Sequence, residues 1–94
     1  ARWARAPDLW TRWNVASAFT SAEARRHAEA ALPVLRRLAA DERPMVARAV
    51  VRALANLAVE DRARVLRAVG AWGEDAPRRA AASALKARLL GRSM

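Results

Sequence analysis

Arg48 and Arg52 stand four residues apart in the stretch Arg48-Ala49-Val50-Val51-Arg52. On a helix that spacing puts them one turn apart on a common face. Two guanidiniums so placed can grip the oxygens of phosphates or carboxylates through a planar, permanently charged fork. The stretch has two relatives in the chain. Trp13-Asn14-Val15-Ala16-Ser17-Ala18-Phe19 overlays Arg48-Ala49-Val50-Val51-Arg52-Ala53-Leu54, which in turn overlays Arg79-Ala80-Ala81-Ala82-Ser83-Ala84-Leu85. The overlay sets out one row of Trp13, Arg48 and Arg79 and a second of Ser17, Arg52 and Ser83. Lys86 falls beyond the first row, and Arg12 adjoins Trp13. Two readings stand for the cations: contacts to a polyanion, or solvated helix surface. Trp13 also has two: a ring facing a sugar or base, or packing against a preceding repeat.

Other chemistry is thinly supplied. His27 is the lone histidine and there is no cysteine, so neither a thiolate nor a paired-imidazole metal site can form. Ser17, Ser21, Ser83 and Ser93 have no nucleophile motif around them, and the isolated glycines make no phosphate loop. Glu60-Asp61 and Glu74-Asp75 precede expected helices, where carboxylates serve as caps. No catalytic residue, metal or cofactor is assigned.

The elements that must carry the cations are helices. Alanine, leucine and arginine dominate the 94 residues, with three glycines, four prolines and no tyrosine, a composition that favours helix over sheet. The net charge is +9, which fits an anionic partner, nucleic acid first. A second source of that charge is a GC-rich coding sequence, since all the basic residues but Lys86 are arginine and alanine is enriched as well. No run of about 20 apolar residues is present, so no membrane span is expected, and no signal-peptide pattern opens the chain. A cytoplasmic protein is expected, associated with the nucleoid if it binds DNA. Ala1 to Arg5 reads as the last turn of an earlier helix, so the chain is expected to be one domain over 1–94 that forms the downstream part of a longer one.

Punctuation divides the rest. Pro7-Asp8 precedes a helix over about 9–19, with Asp8 as its cap. Thr20-Ser21 caps a helix over about 22–40, whose stripe is Ala28, Ala31, Leu32, Leu35, Leu38 and Ala39; Pro33 predicts a kink there. Asp41 to Arg43 is a loop, and Pro44 opens a helix to about 58, with Val46, Ala49, Val50, Ala53, Leu54 and Leu57 inward. A shorter helix begins at Glu60 or Asp61 and ends near Gly70 and Gly73, with Val65, Leu66, Val69 and Trp72 inward. Glu74 to Pro77 repeats the earlier loop chemistry. The last helix runs to about 90 with Ala80, Ala81, Ala84, Leu85 and Leu89 inward.

Helix–turn–helix units repeating at positions 13, 48 and 79, with an Asp…Pro-hydrophobic-x-Arg turn, resemble HEAT-type repeats. The resemblance implies an all-α chain, a right-handed α–α superhelix in which the second helix of each pair lines the concave surface. The two rows then lie across that surface.

A more specific pattern covers Trp3-Ala4-Arg5-Ala6-Pro7-Asp8-Leu9-Trp10-Thr11-Arg12. It is similar to the Trp-Ser-x-Ser-x-Asn-x-Trp-x-Arg-Arg segment of the bacterial HEAT-like DNA alkylation repair family, the AlkD-like glycosylases. The similarity continues through Leu35 to Asp41, Pro44-Met45-Val46, Ala49-Val50, Arg78-Arg79-Ala80 and Ala84-Leu85, in the C-terminal half of that fold. It implies a basic concave cleft around duplex DNA and cofactor-free N-glycosylase chemistry on cationic 3-methyladenine and 7-methylguanine. Of the family's arginine pair, Arg12 remains and Trp13 takes the second place. The family's later Gly-Trp is Val51-Arg52 here. Its first-half tryptophan and catalytic aspartate have no counterpart in this sequence. The resemblance implies duplex DNA as partner, with Arg12, Trp13, Arg48, Arg52, Arg79 and Lys86 as contacts; the other reading is a non-catalytic HEAT scaffold for an acidic protein surface.

Overall fold

The computed structural model describes residues 9–73 and 75–91. The expected cap Asp8, with Trp3, Pro7 and Glu74, lies outside them. All the described elements are helical. They are α1 (Leu9–Ala18), a 3-10 segment (Glu23–His27), α2 (Ala28–Leu38), α3 (Pro44–Gly70) and α4 (Ala76–Gly91).

The turn between α1 and α2 is built by hydroxyls. Thr20 Oγ1 donates to the Ser17 carbonyl at 2.6 Å, and Ser21 Oγ accepts the Ala24 N–H at 3.2 Å. Ser21 thus caps the second helical segment as expected. That segment breaks at His27 (φ −120°, ψ 34°), and α2 then continues through Pro33. The proline's missing donor leaves the carbonyl of Glu29 without its usual intrahelical partner. Glu29 is exposed, so water can serve that carbonyl. The single helix expected over about 22–40 is thus broken six residues before Pro33, at His27.

α3 begins with Pro44 in its first turn and runs for 27 residues with one non-helical residue, Asp61 (φ −147°, ψ 76°). This is the boundary expected between two helices. Asp61 Oδ1 accepts the Arg64 N–H at 3.1 Å, so the second half carries its own cap although the chain makes no loop. α3 closes at Gly70 through short bonds from Ala71 to Ala68 and from Trp72 to Val69. Neither Gly70 nor Gly73 has a positive φ. The tightened last turn satisfies these carbonyls without a left-handed glycine.

α3 packs on α1, α2 and α4. All six residues of its expected stripe are buried, and Leu35, Leu38, Leu54, Leu57, Leu85, Val65 and Val69 are fully enclosed. α4 differs from expectation. Ala81, Ala82 and Leu85 are buried, whereas Ala80 and Ala84 are exposed. Two side-chain clamps fix the neighbours of α3. Asn56 Nδ2 donates to the carbonyls of Phe19 (2.9 Å) and Ser21 (2.8 Å), and its Oδ1 accepts from Arg25 Nε at 2.8 Å. Arg78 Nε donates to the Arg36 carbonyl at 2.8 Å and so ties α4 to the end of α2. Among the described residues no helix is long and apolar enough to cross a membrane.

Candidate functional site

A groove of about 750 Å³ crosses one face of the molecule. It is lined from three helices: Trp13 of α1, Met45, Arg48, Val51 and Arg52 of α3, and Pro77, Ala80, Ala84 and Arg88 of α4. Asp41 and Glu42 line it from the loop before α3. α2 and the second half of α3 contribute nothing to this lining, and instead flank a separate depression bounded by Leu32, Pro33, Ala68 and Trp72. The helices therefore sort into two layers, with alternate segments facing the groove.

Packing explains how each side chain arrives there. Val46, Ala49, Val50 and Ala53 are buried, so the helix period turns Arg48, Val51 and Arg52 away from the core. Arg48 and Arg52 are exposed, and Arg48 Nε donates weakly to the Pro44 carbonyl at 3.4 Å. Trp13 is half-buried. One side packs on the core, it lines the groove, and its ring meets that of Trp10 edge-on at 6.3 Å and 79°. Trp10 itself is 60% exposed.

Asp41 is the electrostatic hub beside the groove. Its carboxylate lies 3.0 Å from Arg12 Nε of α1, with the two side chains only 8% and 13% exposed. It also accepts the Arg43 N–H at 3.0 Å and the Arg43 Nε at 2.9 and 3.1 Å. Hydrogen bonds from the Arg43 side chain hold the Asp41 carboxyl at about 2 instead of its ordinary 3.8. Burial pushes the other way and is outweighed once the Arg43 N–H and the charges of Arg43 and Arg12 are added. One carboxylate thereby joins α1, which bears Trp13, to the start of α3, which bears Arg48 and Arg52.

The groove unites Trp13, Arg48 and Arg52 from the residues singled out in the sequence. Arg12 does not line it, because its guanidinium turns to Asp41. Arg79 and Lys86 do not line it either; Arg79 Nη1 donates to the Gly73 carbonyl at 3.3 Å, and Lys86 is exposed on another face of α4. Arg88 does line it and was not singled out. Its signal is the spacing Pro77, Ala80, Ala84, Arg88, a single helical face. The arrangement offers three guanidiniums over an apolar floor, with Glu42 as an exposed acid at the rim. No cluster of three or more metal-ligating side chains occurs among the described residues.

A family model described as HEAT repeats matches residues 2–86. No curated protein and no solved structure matches the chain.

Proposed function

Since the chain belongs to the HEAT-repeat family, we propose that its groove grips the sugar–phosphate backbone of duplex DNA. The observation that carries this reading is the gathering of Arg48, Arg52 and Arg88 with Trp13 along one groove spanning three helices. Arginine forks pair phosphate oxygens, and Trp13 offers a face to a sugar. The net charge of +9 supports it, as does the similarity of Trp3 to Arg12 to the alkylation repair segment.

On this reading the chain is the C-terminal, DNA-gripping part of an alkylation-repair-like array in the cytoplasm, at the nucleoid. It needs no metal or cofactor. Excision of a cationic alkylpurine requires a carboxylate and aromatic faces that stabilise the sugar cation as the bond breaks. Asp41 does not fill that role, because Arg12 and Arg43 already engage it. On this reading the part the chain plays is the grip on the duplex.

The test is duplex binding as a function of salt. Counterion release makes affinity fall steeply with ionic strength, and alanine at both Arg48 and Arg52 should weaken binding without altering the helical signal. A flat salt response, or no binding at low salt, refutes the DNA reading. One observation favours a second partner, an acidic helical segment: the floor of Met45, Val51, Ala80 and Ala84 is apolar, as helix-in-groove recognition requires. Capture of an acidic amphipathic peptide that duplex DNA fails to displace would select it.

A further inference from the structure

Resting on the DNA reading, we propose that Arg88 is a phosphate contact, the α4 end of a track that one DNA strand follows across α1, α3 and α4. Arg88 shares the groove with Arg48 and Arg52 and is exposed at the end of a continuous face formed by Pro77, Ala80 and Ala84. The α4 residues between Pro77 and Arg88 on that face are alanines, which let a sugar–phosphate chain approach the helix closely. The other cations of α4 are directed elsewhere. At about 100° per residue, Lys86 lies about 200° around the helix from Arg88. Arg79 is drawn to the Gly73 carbonyl.

The dimensions agree. Three helices packed side by side at 8–10 Å span about 20 Å from first to last. One DNA strand places a phosphate about every 3.4 Å along the axis, so about six phosphates cross that width. Three arginines can each neutralise one of them. The slope of log affinity against log salt from this groove is then about −2.7.

The experiment is fluorescence anisotropy of the whole chain with a short fluorescein-labelled duplex over a salt series. Arg88→Ala should weaken binding at low salt and reduce the magnitude of the slope by about 0.9, the same as Arg52→Ala. Arg88→Lys should restore the slope, and Lys86→Ala should leave it unchanged. If Arg52→Ala reduces the slope and Arg88→Ala does not, Arg88 is off the track and the inference fails while the DNA reading stands. An equal loss for Lys86→Ala means charge without position, and also overturns it. Absence of duplex binding at every salt concentration removes the DNA reading itself.

Discussion

Replacing Asp41 with asparagine keeps the shape of the side chain and removes its charge from between Arg12 and Arg43. The carboxyl sits at about 2 in the fold against an ordinary 3.8. At 1.36 kcal/mol per pH unit, the lowering is worth about 2 kcal/mol of folding free energy. Arg43 is 43% exposed, so solvent screens part of its share, and the expected loss is about 1–2 kcal/mol. In a domain of this size that lowers Tm by roughly 4–16 °C. The sign follows from the direction. A depressed carboxyl stabilises the fold above its unfolded value, and this contribution fades as pH falls from about 4 to about 2. Thermal unfolding of both proteins, followed by far-UV circular dichroism over that range, should show a gap at neutral pH that closes in acid. A gap that persists at pH about 2, or one below about 0.5 kcal/mol at neutral pH, would refute the view that charge pairing at Asp41 joins α1 to α3.

Four further outcomes follow from the packing and the groove. Asn56→Ala strands the Arg25 guanidinium and the carbonyls of Phe19 and Ser21, and should cost about 1–3 kcal/mol in urea unfolding. Leu54→Ala, at a fully buried site, should cost about 2–5 kcal/mol; Trp13→Ala should cost less and weaken duplex binding, whereas equal destabilisation would make Trp13 a packing residue alone. Glu42→Gln removes the exposed acid from the groove rim and should tighten duplex binding at low salt, with the gain fading as salt screens it; unchanged affinity at low salt would place the strand away from the loop before α3.

Where the sequence carried phase, the fold was legible. The stripe from Val46 to Leu57 mixes valine, leucine and alanine with arginine at helical spacing, and every inward position is buried. The acid at the α3 break and the Pro44 start were legible from capping chemistry. α4 was only partly so. Residues 80 to 82 and 84 are all alanine, so little hydrophobic contrast sets the rotation of that part of the helix; Ala81, Leu85 and Leu89 face the core as expected, while Ala82 takes the inward place expected of Ala80 and Ala84. Arg88 was missed for that reason. Arg12 was legible as a cation but not as the partner of Asp41, which is 29 positions away (12 to 41). The Asn56 clamp was hidden in the same way, because its partners come from a turn more than 30 residues earlier.

The break at Asp61 has a consequence for the length of the molecule. An uninterrupted helix of 27 residues would be a rod of about 40 Å, longer than the 37 Å greatest dimension of the molecule. A single non-helical residue kinks that rod and does the work of an inter-repeat loop. A loop of several residues has slack to absorb a change at one position, and this joint has none. The angle between the two halves of α3 is set by one pair of dihedrals, with Arg64 held to the Asp61 carboxylate. That pair of dihedrals places the segment of α3 that lines the groove relative to the segment that flanks the opposite depression.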